Sequence, residues 1–247
     1  MAKEEIIIVE DPERLAQEAA ELFCREAQAG VRRQGRFSVA LSGGSTPRAA
    51  HRLLAREPYV DRVPWQDTHI FWVDERMLPF KHVESNFGAA QKDFLDQIPI
   101  PPGQIHPMPA EAEPNDAGRQ YRRELENYFG LSEPGGPCFD LIFLGIGEDG
   151  HTASLFPEAH WADMEKNWVL TVKGGHPDVL RLTLSYRVLN RARVVVFLVS
   201  GRKKGVVVQR VLERGEKQLP AAKILPKNGA LLWLLDKDAA ELLSKSQ

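Results

Sequence analysis

The sequence predicts an α/β protein built on a mostly parallel sheet with helices covering both faces. Apolar runs of strand length alternate with amphipathic stretches from one end to the other. One of them, Arg193–Val199, is an almost unbroken β-branched run, as expected of a strand covered on both faces. Glycine-rich or charged loops follow several strands at the point where a helix begins, which is where ligands collect in such sheets. The two Pro/Gly-rich stretches, Ile98–Pro109 and Glu133–Pro137, are too short to require a boundary, so residues 1–247 are expected to form one domain.

The elements follow in order. Ile6–Val9 is a strand, and Asp11-Pro12 supplies an N-cap and a first-turn proline for a helix to about Gly30. Phe37–Leu41 is a buried strand, with a helix opening near Pro47. Thr68–Val73 is the next strand, followed by a helix from Ser85 toward Gln97. After the proline-rich connector comes a charged helix, Asn115–Phe129. Phe139–Gly145, Trp168–Val172, Arg181–Ser185 and Arg193–Val199 read as strands, and Arg202–Arg214 as a helix. Ala230–Leu235 is the last strand, with a short helix after it.

Composition narrows the function. Hydrophobic residues make up 43% and charged residues 27%, an ordinary globular balance. Thirty-two Lys and Arg against 34 Asp and Glu give a net charge of −2, which argues against a nucleic-acid partner. No segment approaches the roughly 18 apolar residues of a membrane span. The N-terminus lacks the basic-then-apolar order of a signal peptide, so a cytoplasmic protein with no membrane partner is expected. Cys24 and Cys138 lie far apart with no ligand spacing, which leaves neither a disulfide framework nor a metal site in prospect.

Four polar clusters follow strands. In Leu41–Arg48, the Ser42-Gly43-Gly44-Ser45-Thr46 loop can converge backbone N–H groups at a helix start, a cradle for phosphate. A glycine-rich turn with no ligand fits those residues equally well. Asp74-Glu75-Arg76 would ordinarily be a solvated loop, but Ser85-Asn86 soon after adds a second polar helix start, and an arginine there suits an anion. In Gly145–Ser154, His151 stands in a glycine-flanked loop with Asp149 close enough to orient its ring, and histidine suits acid–base work at neutral pH. No nucleophile-elbow serine accompanies it, which favours water activation over a covalent intermediate. The basic start Gly201–Lys204 opposes a helix dipole and is more easily understood beside an anionic ligand. His51, His69, His82, His106, His160 and His176 are expected to be structural or on the surface.

These segments resemble a known family. Ser42-Gly-Gly-Ser-Thr-Pro47, Val73-Asp-Glu-Arg76 with Ser85-Asn86, and Gly145-x-Gly-x-Asp-Gly-His-Thr-Ala-Ser-Leu-Phe-Pro157 are similar to the 6-phosphogluconolactonases. Arg181-x-Thr-x-Ser185, Gly201-x-x-Lys204 and Leu232–Asp236 extend the match over nearly the whole chain. The resemblance implies the fold shared with glucosamine-6-phosphate deaminase and ribose-5-phosphate isomerase. It also implies hydrolysis of a sugar-phosphate lactone, with no cofactor or metal. On that resemblance His151 is the general base, Asp149 shapes its loop or orients it, and Arg76 stabilises developing charge or reads the phosphate. Ser42, Gly43, Gly44, Ser45, Thr46 and Lys204 would hold the phosphate, with Arg181 nearby and Asp74 and Asn86 also at the substrate. Arg193 is a weaker candidate.

Two alternatives fare less well. The deaminases of the family carry a tyrosine after Asp-Glu, where Arg76 stands, and a relay glutamate where Phe156 stands. Sugar-phosphate-sensing regulators carry a DNA-binding segment, for which a first strand at about Ile6 leaves no room. The fitting partner is a small sugar-phosphate lactone, and a monomer is the mildly favoured state.

Overall fold

The computed structural model describes residues 3–130, 136–158 and 167–244. Its strands are β1 (Lys3–Val9), β2 (Phe37–Leu41), β3 (Thr68–Trp72), β4 (Asp74–Arg76), β5 (Ile105–His106), β6 (Leu141–Leu144), β7 (Val169–Gly174), β8 (Val179–Leu184), β9 (Val194–Val199) and β10 (Ala230–Asp236). Seven of them form a sheet in the order β1-β10-β9-β6-β2-β3-β5, with every neighbouring pair parallel. The helices that matter to the site are α1 (Pro12–Gln34), α2 (Ser45–Leu54), α3 (Tyr59–Arg62), α4 (Asn86–Asp93), α5 (Pro114–Phe129), α6 (Tyr186–Leu189) and α7 (Gly205–Leu212).

The α/β expectation holds, and packing explains it. Alternate residues of β2 and β3 point to opposite faces. Phe37 meets Phe23 of α1 edge-on at 5.5 Å, while Phe71 meets Tyr128 of α5 at 5.1 Å, so the two helices cover opposite sides. Asp11 caps α1 as expected, accepting from the Arg14 backbone N–H at 2.8 Å. The N-terminal edge of the sheet is fastened by buried Asp140, which accepts from the Ser38 backbone N–H and hydroxyl, Gln34 and Arg33. Arg193 Nε lies 3.4 Å from the same carboxylate, at the end of β9 remote from the polar loops. Its place is therefore in the framework, which removes it as a ligand candidate.

Several elements differ from expectation. Asp74–Arg76 is a strand, not a loop, because it pairs antiparallel with β8; β4, β8 and β7 make a second, three-stranded sheet. The two strands read at 168–172 and 181–185 therefore leave the main sheet. Ile105–His106, inside the proline-rich connector, adds an edge strand to β3. The stretch 202–214 is divided into a 3-10 turn, Arg202–Lys204, and α7. Residues 237–243 form turns in place of a terminal helix. His160 and residues 133–135 of the second proline-rich stretch lie outside the described residues.

His51 of α2 is buried, lies against Phe94 with ring centroids 5.1 Å apart and planes tilted by 31°, and has no hydrogen-bond partner for either ring nitrogen among the described residues. Burial outweighs the attraction of Asp93 and lowers its pKa from 6.5 to about 4, so the folded protein holds the ring neutral. The unfolded chain takes up the proton first as pH falls. The stability this ring confers is complete above pH 6.5 and is lost progressively toward pH 4. His69, lowered to about 4 by burial and His106, acts in the same direction. His51→Leu should flatten part of that decline, by up to about 1.4 kcal/mol per pH unit, in urea unfolding at pH 7 and pH 5. An unchanged slope would assign the acid sensitivity elsewhere.

Candidate active site

The chain leaves β2 toward β3 on one side and later returns to β6 on the other, so the sheet's direction of winding reverses between β2 and β6. The loops after these neighbouring strands must diverge, which opens a crevice beyond their C-terminal ends. The cleft there has a volume of about 150 Å³ and is lined by Ser42, Gly43, Gly44, Asp74, Arg76, Asn86, Gly145, Ile146, His151, Ala153 and Arg181.

The β4 wall is assembled around Glu75. This fully buried carboxylate accepts from the backbone N–H groups of Arg76 (2.8 Å), Asn86 (2.8 Å) and Phe87 (2.7 Å) and from the Ser85 hydroxyl (3.1 Å). Ser85 in turn accepts from Gly88 N–H and caps α4. Burial raises the Glu75 pKa, opposed by the three backbone donors.

Asn86 is thereby held with its amide nitrogen donating to the Asp74 carbonyl at 2.9 Å and its Oδ1 accepting from Arg76 at 3.2 Å. That Oδ1 fills the space a Cβ at Gly43 would take, only 2.0 Å away. Arg76 therefore stands on the Gly43 side of the cleft. It also donates to the Glu84 carbonyl at 2.5 Å, while its buried Nε has no partner among the described residues.

Arg181 lies opposite Arg76 in the β4–β8 register. Adjacent like charges repel, and burial followed by the Arg76 charge lowers the Arg181 pKa. The guanidinium is fixed by donating to the Gly174 carbonyl at 2.8 Å and the Pro177 carbonyl at 3.1 Å. Two fixed arginines beside one cleft suit an anionic ligand.

The loop after β6 carries His151. Its Nδ1 lies 2.7 Å from Asp149 Oδ1, and the same oxygen accepts the His151 backbone N–H at 3.1 Å. Asp149 Oδ1 accepts a hydrogen bond from the Nδ1 N–H, the tautomer that leaves the lone pair on Nε2. Gly147 sits beneath this pair: a Cβ there would lie 2.1 Å from His151 Nδ1 and 2.3 Å from Asp149 Oδ1. Ser154 donates to Asp74 Oδ2 at 2.6 Å, tying the histidine loop to β4. Between them Ala153 adopts a φ of 49°, the one positive value outside glycine among the described residues. For alanine this costs about 1–2 kcal/mol, held in place by the loop around it.

The cleft brings together Ser42, Gly43, Gly44, Asp74, Arg76, Asn86, His151 and Arg181, with Asp149 behind the histidine. Ser45 and Thr46 form the first turn of α2 and do not line it. Lys204 stands outside the lining, donating to the Ile146 carbonyl at 2.8 Å. Arg202 pairs with Glu241 at 3.2 Å, so that cation at the turn has an anion of its own chain. Sequence reasoning missed Ile146, Ala153 and the supporting Thr183, whose hydroxyl accepts from Ser154 N–H at 3.3 Å. Thr183 lies within the Arg181–Ser185 pattern, which was the available signal.

Among the described residues no group of three or more His, Cys, Asp and Glu is arranged to hold a metal ion. No helix among them is long and apolar enough to cross a membrane.

The model of the glucosamine-6-phosphate isomerase/6-phosphogluconolactonase family matches residues 10–233. The chain belongs to that family. Among family members, a 6-phosphogluconolactonase of a Synechocystis species is 41% identical over 86% of this chain and 87% of its own length. The 6-phosphogluconolactonase of Rattus norvegicus is 36% identical over 97% and 93%. The solved structure of the Trypanosoma brucei 6-phosphogluconolactonase superposes with a TM-score of 0.85 at 28% identity, covering 99% of this chain and 100% of that one.

Gly147→Ala should push the His151–Asp149 pair out of register. We expect turnover to fall about 10²-fold with the fold retained, as checked by steady-state rates beside a circular dichroism spectrum. Wild-type turnover would mean that the pair tolerates displacement.

Proposed function

We propose that this protein hydrolyses 6-phospho-D-glucono-1,5-lactone to 6-phospho-D-gluconate in the oxidative pentose phosphate pathway. The observation that carries the reading is a histidine oriented by Asp149, its Nε2 without a hydrogen-bond partner among the described residues, facing a cleft that also holds two arginines and a Gly-Gly loop. The 6-phosphogluconolactonase relatives support the substrate.

His151 Nε2 takes a proton from water as the water oxygen attacks the lactone carbonyl. Negative charge develops on the carbonyl oxygen, where a nearby fixed donor lowers the barrier. The ring C–O bond then breaks, and the imidazolium returns its proton to the departing alkoxide. One water is consumed and His151 ends as it began.

The neighbours of each arginine support a division of roles between them. Arg76 is joined to Gly43 through Asn86, so it reads the phosphate with the Ser42–Gly44 loop and the start of α2. Arg181 serves the carbonyl end and the product carboxylate. Asp74, whose oxygens hold Ser154 and Asn86, acts through the residues it positions. Lys204 spends one proton on Ile146 and adds positive potential behind that wall.

His151→Ala should lower kcat by roughly 10²–10⁴-fold with product affinity nearly unchanged, measured after subtracting spontaneous lactone hydrolysis. Near-normal kcat would remove His151 from the mechanism. Arg76→Ala should weaken use of the phosphorylated lactone by about 1.5–3 kcal/mol while barely changing the residual rate on gluconolactone itself. Equal damage to both lactones would place Arg76 at the reacting carbon instead.

A further inference from the structure

One aromatic side chain touches both the proposed base and the arginine at the carbonyl end. Phe156 is almost fully buried, its ring centroid 5.1 Å from that of His151 at an interplanar angle of 52°. The Arg181 guanidinium carbon stands over the same ring, 5.6 Å from its centre.

The ring has little freedom. It lies against the tip of the β7–β8 hairpin, where a Cβ on Gly175 would come within 2.8 Å of its Cζ and 2.7 Å of Arg181 Nη2. Gly174, whose carbonyl accepts from Arg181, approaches the ring edge in the same way, with a Cβ there 3.1 Å from Phe156 Cδ2. Hairpin, arginine, phenyl ring and imidazole thus form one packed stack, and displacing any member displaces the next.

The stack also has an electrostatic consequence. An aromatic face attracts positive charge, and the attraction grows where water is excluded. Arg181 is positive throughout, whereas His151 becomes positive only when it has taken the proton of the attacking water. Among the described residues, the other charged groups near His151 include Glu148 and Asp149 within its own loop, Asp74 and Arg76 across the cleft, and Lys204, which donates to the Ile146 carbonyl. Phe156 is a neutral, polarisable ring in contact with both the imidazole and the Arg181 guanidinium.

We propose that Phe156 is a positioning residue of the hydrolytic site, holding His151 and Arg181 in mutual register and stabilising the imidazolium formed during turnover. This rests on the assignment of His151 as base. It predicts an effect on kcat and on the protonation of the base that a filler of the core would not have.

The test compares Phe156→Leu, which removes the ring, with Phe156→Tyr, which keeps it. Phe156→Leu should lower kcat by about three- to tenfold with a smaller change in KM. The acid limb of its kcat/KM profile should move to lower pH by about half a unit, because the protonated ring has lost a stabilising neighbour. Phe156→Tyr should restore most of both losses. Phe156→Met, close in volume, replaces the leucine variant should that one fail to fold. A kcat within twofold of wild type, a loss of rate with an unmoved acid limb, or a tyrosine variant as impaired as leucine would each overturn the proposal. His151→Asn, run alongside, separates the two readings: an active His151→Asn enzyme overturns the base itself and Phe156 with it. An inactive one with an unaffected Phe156→Leu overturns Phe156 alone.

Discussion

The buried carboxylate of Glu75 organises one whole side of the cleft. Four donors from two segments converge on it: the backbone of Arg76 in β4, and Ser85, Asn86 and Phe87 at the start of α4. A helix start has backbone N–H groups with no partner of their own, and a buried carboxylate has lone pairs that water cannot reach. Each deficit answers the other. Arg76 and Asn86 face the cleft at fixed positions because their own backbone N–H groups are bound to the same acceptor. The carboxylate is thus invisible to a ligand yet sets the distance between two residues that line the cleft.

The opposite wall depends on close approach more than on charge. Gly147 lets Asp149 and His151 lie flat on the backbone, and on the Glu75 side Asn86 likewise fills the hollow over Gly43. The polar groups of the site are therefore held by steric contact as well as by hydrogen bonds, which restricts their rotamers. The arginines add the opposing tendency. Arg76 and Arg181 are cross-strand neighbours of like charge, a pairing that an anionic ligand would relieve.

Most of the parallel sheet was legible in the sequence, because its strands are continuous apolar runs and helix starts such as Asp11-Pro12 follow them. The cleft loops were legible for a related reason: glycines and charges after an apolar run have few structural uses. What could not be read was non-local. Asp74-Glu75-Arg76 has the composition of a loop, and only pairing with β8, over a hundred residues later, makes it a strand. Glu75 gave no sign of its role, since its donors are backbone N–H groups that every residue possesses. Ile105–His106 was hidden among prolines and becomes a strand because β3 offers an edge. Lys204 was read as a direct ligand from its place at a helix start, but its reach to the Ile146 carbonyl depends on how the β6 loop folds. The family resemblance placed His151 and Asp149; the distance between them, and the glycine that permits it, belong to the three-dimensional structure.

The junction of β2 with β6 has a mechanical meaning. These strands share only the pairs Val39–Leu141 and Ala40–Ile142, whereas β2 and β3 share five, from Phe37–Thr68 to Leu41–Trp72. Asp140 locks the junction at its lower end through Ser38, and at its upper end the strands part into the cleft. The sheet is thus stitched at one end of this seam and unzipped at the other, with the Gly43 loop on one lip and His151 on the other. In the reaction proposed above, a molecule spanning from phosphate to carbonyl would bridge that opening as a strut, and substrate length would be gauged by how far the seam is spread.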